Sequence, residues 1–185
     1  MSKKIANNLF EDKTNVYVSE CRSTNDLLAY LVKKKILSEG SLLVTDYQKK
    51  GRGQRKNTWV SEQAKNLLFS FVIKPKILLS EQFKLHIITS ISLVKSLKTF
   101  NLKKLKIKWP NDIYISGKKV AGILIENQIF MKKISHSIIG IGLNVNQTSF
   151  NILNATSLTK ELNSEIEIQE VLNRSEEHTS ELQSP

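Results

Sequence analysis

The stretch Gln48 to Trp59 (QKKGRGQRKNTW) is the place in this chain where glycine, positive charge and hydrogen-bonding side chains converge between two apolar runs. Five of its twelve residues are Lys or Arg, and Gly51 and Gly53 bracket Arg52, so the backbone is expected to reach positive φ and come close to a ligand. That combination suits an anion, held by a guanidinium and backbone N–H groups. Three further polar patches stand where apolar runs end: Ser23, Thr24 and Asn25; Lys108 to Asp112 (KWPND) with Lys118 and Lys119; and Gly140 to Asn146 (GIGLNVN). Singly, each has a structural explanation, as a helix cap, a strand end with a core Trp followed by a hairpin turn, and a buried strand with close backbone packing.

Other kinds of chemistry are poorly served. GRGQRK puts Lys56 where the third glycine of G-x-G-x-x-G would sit, and no G-x-x-x-x-G-K-[ST] occurs, so neither dinucleotide nor P-loop fingerprint is present. No Ser/His/Asp relay is legible, because His86 falls within an amphipathic helical pattern and reads as a packing residue. Cys21 is alone and reads as a small core residue; with His86, His136 and His178 it makes no cluster at metal-ligand spacing, so no protein-held metal is expected. Catalysis here must work by positioning and charge neutralisation.

The elements that position these patches can be read from periodicity. Residues 14–20 alternate as a strand, and a helix capped by Ser23 or Thr24 follows, with Leu27, Leu28 and Leu31 on one face. Ser41 to Tyr47 reads as a strand entering the basic loop and Asn66 to Ile73 as the strand leaving it. From Ser80 to about Thr99, Phe83, Ile87, Ile88, Ile91, Val94 and Leu97 recur at helical spacing and predict a second helix. Leu105 to Trp109 alternates as a strand, Ile113 to Ile115 and Val120 to Glu126 read as a hairpin about Ser116-Gly117, and Ser137 to Val145 as another buried strand. Ala155 to Asn163 and the stretch from Ser164 read as helices. Few strands are separated by a helix, which predicts an α+β fold with a mixed, largely antiparallel sheet flanked by helices.

The 185 residues suit one globular domain, assigned here to residues 1–173. Residues 174–185 (RSEEHTSELQSP) lack periodicity and read as a non-native tail. No apolar run approaches the ~20 residues of a membrane helix, and MSKKIANNLFEDK lacks a signal peptide's apolar centre, so the expected compartment is the cytoplasm. The net charge of +11 hides an asymmetry: residues 161–185 hold seven acidic residues against one Arg, leaving +17 on residues 1–160. A basic nucleic-acid-binding module is therefore one reading, although aromatics are few and Tyr47 and Trp59 form no stacking ladder around the KKGRGQRK run.

Taken in order, STN, Q-x-x-G-R-G, KWPND-I, G-K-K-V-A-G-I-L-I-E and G-I-G-L-N-V resemble the biotin protein ligases throughout their catalytic domain, over roughly residues 15–160. The resemblance implies the biotin/lipoate ligase catalytic fold, similar to the class II synthetases. It also implies a cytoplasmic enzyme that forms biotinyl-5′-AMP from biotin and ATP with Mg²⁺, and passes biotin to one lysine of a biotin carboxyl carrier domain of a carboxylase. By matching position, Ser23, Thr24, Asn25 and Gln48 meet the polar ring of biotin, Gly51, Arg52 and Gly53 fold over its carboxylate and the adenylate, and Gly122 leaves room for the ligand. Lys119 takes the central electrostatic role, with Arg52, while Arg52, Trp59, Trp109, Asn111, Asp112 and Asn144 serve the nucleotide. Sheet-edge pairing into a homodimer is compatible with the family.

The sequence departs from the family's GRGRRGRxW in having Gln54, Lys56 and Asn57 where Arg, Gly and Arg are usual, which bears on how tightly the loop closes. The small C-terminal β domain common in the family is expected to be missing, and the roughly fifteen residues before the first strand are too few for a helix-turn-helix domain, so a monofunctional type without specific DNA binding is expected. A lipoate or octanoate ligase or transferase is the alternative within the same fold.

Overall fold

The computed structural model describes residues 14–151 and 153–179; MSKKIANNLFEDK and the last six residues of the tail lie outside the described residues. Among the described residues nine strands form: β1 (Asn15–Cys21), β2 (Leu42–Gln48), β3 (Gly51–Arg52), β4 (Thr58–Trp59), β5 (Asn66–Ile73), β6 (Leu105–Lys108), β7 (Asp112–Ile115), β8 (Lys118–Phe130) and β9 (Lys133–Asn144). The α-helices are α1 (Thr24–Lys33), α2 (Phe83–Lys98), α3 (Leu158–Leu162) and α4 (Ile168–Thr179). Seven strands make one sheet in the order β1-β2-β5-β9-β8-β7-β6, and β3 with β4 makes a separate ribbon. β1 and β2 are parallel, because α1 carries the chain back between them; every other named pairing is antiparallel. The expected α+β class, with helices flanking a mixed sheet, is the observed one.

The centre of the sheet follows from β5, NLLFSFVI, which is buried at every position. A strand without a polar face must be covered on both sides. Leu67, Phe69, Phe71 and Ile73 belong to the larger apolar cluster, which includes Leu85, Leu93 and Leu97 of α2 and Val171 and Leu172 of α4. Val72 joins the smaller cluster with Leu28 of α1, Leu43 and Ile138. The β7–β8 hairpin closes through Ser116 and Gly117, both at positive φ, as a two-residue turn of right-handed twist requires. β8 and β9 run longer than the sequence pattern marks and pair directly with each other, with Gly122 opposite Gly142 and Leu124 opposite Gly140.

α2 forms where its apolar spacing predicts a helix, but that spacing does not mark the buried face: Phe83, Ile87, Ile88 and Ile91 are exposed, whereas Leu85, Thr89, Ser90, Ser92, Leu93, Ser96 and, of the spaced residues, Leu97 are buried. The inner face is built from small residues because α2 lies against α4, β6 and β8, where short side chains permit close approach. Residue 173 lies within α4, which continues to Thr179. Ser175 is buried with its Oγ 3.3 Å from Ser96 Oγ, and Arg174 donates to the Thr99 carbonyl and lies over the Phe100 ring. Among the described residues no helix is long and apolar enough to cross a membrane.

The buried face makes a prediction. Leu93→Ala should cost about 2–5 kcal/mol in denaturant unfolding, whereas Ile87→Lys, on the outer face, should stay within about 0.5 kcal/mol. Equal losses from the two would put the helix the other way round.

Candidate active site

The four patches converge on one cleft of about 370 Å³, within the size range of small-molecule sites. Its floor is the sheet. Ser70 of β5, Gly140 and Gly142 of β9, and Gly122 and Leu124 of β8 are register partners across three adjacent strands. A Cβ on Gly140 would lie 2.1 Å from Asn25 Oδ1, and one on Gly142 2.5 Å from the Trp59 indole, so both positions must be side-chain-free for Asn25 and Trp59 to rest on the sheet. Gly122 serves the same end, its missing Cβ standing 3.1 Å from Trp59 and 3.4 Å from Lys119 Nζ. Trp59 and Lys119 are thus what Gly122 makes room for in this structure.

One end of the cleft is a hydrogen-bonded chain of uncharged side chains. The Thr24 N–H and hydroxyl both donate to Gln48 Oε1, at 2.8 and 3.2 Å. The Ser70 hydroxyl, fully buried, stands 2.7 Å from Thr24 Oγ1 and 2.6 Å from Asn25 Oδ1, its single proton serving one of them at a time. Asn25 Nδ2 then donates to Glu126 Oε2 at 2.8 Å. Ser23 is the N-cap residue of α1 in extended conformation, but its side chain caps nothing; Ser23, Thr24 and Asn25 are all buried at the cleft, which explains why a helix should begin with them without using them as caps.

The other end is cationic. Lys119 Nζ pairs with Asp112 Oδ1 at 2.7 Å and lies 5.7 Å from the centroid of the Trp59 ring. Arg52 Nη2 lies 2.7 Å from Asp26 Oδ1 and 2.6 Å from Glu126 Oε2. Partial burial works against its charge, but the hydrogen bonds and fields of Glu126 and Asp26 prevail and hold its pKa above the ordinary arginine value. Asn111 is fixed by donating to the Ile123 carbonyl at 3.1 Å and accepting from Ile123 N–H through its own carbonyl, which places KWPND at the rim.

The basic loop is more ordered than its composition implies. Lys49 and Lys50 N–H donate to the carbonyls of Cys21 and Arg22, and β3 pairs with β4 across a 3₁₀ turn at Gln54–Lys56. Gly51 and Gly53 do not take positive φ; a Cβ on Gly51 would lie 2.4 Å from the Trp59 carbonyl, so close pairing is what demands glycine there. The left-handed residues are Arg55 and Lys56, at φ 53° and 67°, and Lys56 occupies the position where the family pattern has glycine. A non-glycine residue there carries strain of about 1 kcal/mol.

Of the residues singled out from sequence, Ser23, Thr24, Asn25, Gln48, Arg52, Gly53, Trp59, Trp109, Asn111, Asp112, Lys119 and Gly122 line this cleft. Trp109 does so as an exposed residue against Phe83, with ring centroids 5.9 Å apart, and not as a core Trp. Gly51 is not among the lining residues. Asn144 is not among them either: its side chain is buried and donates to the Thr156 carbonyl at 3.0 Å, tying β9 to the segment before α3. Ser70 and Glu126 were not singled out, and Gly140 and Gly142 stood only within the GIGLNVN patch, without a role of their own. The alternation of glycine in GIGL, and a Glu four residues after Gly122 on the same strand face, were the signals available.

The fold agrees with the comparisons: the model of the biotin/lipoate A/B protein ligase family matches residues 17–144, and the chain belongs to that family. It is 39% identical over 111 residues to the bifunctional ligase/repressor BirA of Bacillus spizizenii, covering 60% of this chain and 34% of that protein. It is 32% identical over 111 residues to the biotin–[acetyl-CoA-carboxylase] ligase of Paracoccus denitrificans, covering 59% of this chain and 46% of that one. The biotin protein ligase from Aquifex aeolicus, solved in complex with biotin and ATP, superposes with a TM-score of 0.77 at 32% identity, covering 92% of this chain and 70% of the other. The chain thus spans between a third and a half of the length of these two curated relatives.

Gly140→Ala should displace Asn25 and reduce ligand affinity at least tenfold while the folded far-UV spectrum persists, because Asn25 can shift toward solvent where the strand cannot. Unchanged affinity measured by calorimetry would show that Asn25 does not need its place on the sheet.

Proposed function

We propose that this chain is the catalytic unit of a biotin protein ligase, acting in the cytoplasm on biotin and ATP and on the carrier domain of a biotin-dependent carboxylase. The observation that carries the reading is the meeting in one cleft of the Thr24–Gln48 pair, suited to a small polar ring, with Arg52 and Lys119, suited to a carboxylate and a phosphate. The relatives named for biotin ligation, and the Aquifex protein solved with biotin and ATP, support it.

The chemistry follows from charge. Biotin's carboxylate is ionised at neutral pH and attacks the α-phosphorus of MgATP without a general base. A C(O)–O–P bond forms, the bond to the β-phosphate's bridging oxygen breaks, and pyrophosphate leaves with the electron pair. Two anions must be held in line, so the protein's task is to screen and orient. Lys119 supplies a compact charge at the point where carboxylate and phosphate meet, exchanging Asp112 for the ligand oxygens. Trp59 gives that ammonium an aromatic wall, and Asn111 marks the nucleotide end. In the second step the neutral amine of a carrier lysine attacks the acyl carbon, AMP leaves, and Asp112 is the carboxylate placed to take the proton that the amine loses.

A lipoate or octanoate ligase is the second reading, since the matched family covers lipoate as well as biotin. The hydrogen-bonding end built by Thr24, Gln48 and Ser70 favours biotin's ureido ring over an aliphatic chain. Mixed with MgATP and a biotin carrier domain, the protein is expected to attach biotin, and not lipoate, to the acceptor lysine. Lys119→Ala should lower adenylate formation by about 10²–10³ with the fold intact, the usual loss for one preorganised electrostatic contact. Lipoate as the accepted acid, or normal turnover in the variant, contradicts the respective assignment.

A further inference from the structure

Arg52 lines the cleft, yet its guanidinium is turned toward two carboxylates that stand outside the lining, Asp26 in the first turn of α1 and Glu126 on β8. Glu126 Oε2 has a second duty. The same oxygen that pairs with Arg52 at 2.6 Å accepts from Asn25 Nδ2 at 2.8 Å, and Asn25 is joined through Ser70 to Thr24 and so to Gln48. One carboxylate oxygen therefore connects the anion-binding arginine to the uncharged end of the cleft.

We infer that Glu126 is a positioning residue that parks Arg52 against the side of the cleft until an anionic ligand competes for the guanidinium, while fixing Asn25 for the ligand's uncharged end. This rests on the reading of Arg52 as the anion-binding group. Two carboxylates, both on Nη2, already more than neutralise one guanidinium, so an anionic ligand meets their repulsion and competes with them for its charge. The Arg52 and Glu126 side chains are 41% and 39% exposed, so their pair is screened and readily exchanged. Asp26 shares the parking but, unlike Glu126, makes no bond to Asn25 in this network. Glu126 thus sets how much affinity the ligand's carboxylate contributes, and it couples the loop to the residues that meet the ring.

Calorimetry on the full chain with biotin and with biotinol, the uncharged alcohol analogue, separates these roles. Glu126→Gln keeps an acceptor for Asn25 but removes the charge holding Arg52; it should tighten biotin about three- to tenfold and leave biotinol unchanged. Glu126→Ala should weaken both ligands, because Asn25 then keeps only its longer bond, 3.3 Å, to the Leu124 carbonyl. Unchanged biotin affinity in Glu126→Gln, or equal weakening of biotin and biotinol, would overturn the parking role and leave Glu126 merely structural. Should the unmodified protein bind lipoate and not biotin, the biotin reading fails, and the same comparison of lipoate with its alcohol still decides the role of Glu126. Binding of neither acid would overturn both.

Discussion

The cleft depends on two places where the sheet carries no side chain. Gly140 and Gly142, alternate residues of β9, leave a bare strip on which Asn25 and Trp59 come to rest, at separations from an imagined Cβ that no L-residue could tolerate. Because Asn25 sits on Gly140, the first turn of α1 is drawn onto the sheet and buried. Because Trp59 sits on Gly142, the end of the basic loop is pinned there too, and the β3–β4 ribbon is held over the cleft. The cleft is the space between these two anchored segments and the β7–β8 hairpin.

Charge is then distributed by local pairing. The chain carries +11 overall, but the two cations that matter at the cleft are each compensated, Lys119 by Asp112 and Arg52 by Asp26 and Glu126. Compensation keeps both side chains in defined positions in a partly desolvated site, where an unpaired charge would be costly. It also makes recognition of an anion an exchange of partners. That exchange is sensitive to whether the ligand bears a charge.

Much of this was legible in the sequence, and the reasons for success and failure are physical. Strand positions could be read because NLLFSFVI and SIIGIGLNV are short apolar runs bounded by polar residues, and the hairpin because Ser116-Gly117 suits a two-residue turn. The inner face of α2 could not, because size and not hydropathy chose it: Thr89, Ser90, Ser92 and Ser96 face the core while Ile87 and Ile91 do not. At the site, Thr24, Gln48, Arg52 and Lys119 belong to motifs with visible spacing. Ser70, Glu126 and the two glycines acquire their meaning from the register between β5, β9 and β8, a tertiary relation that no local pattern contains. Asn144 shows the converse, a residue within a motif whose side chain the fold turns inward to the Thr156 carbonyl.

The central claim is that a carboxylate and the α-phosphate of ATP react within this one cleft. It is tested most directly by exchange of labelled pyrophosphate into ATP, which reports the first step without any carrier protein. The account predicts exchange that requires biotin and is abolished when biotin is replaced by its uncharged alcohol. Exchange that proceeds without biotin, or no exchange in a preparation that binds both biotin and ATP, would contradict it.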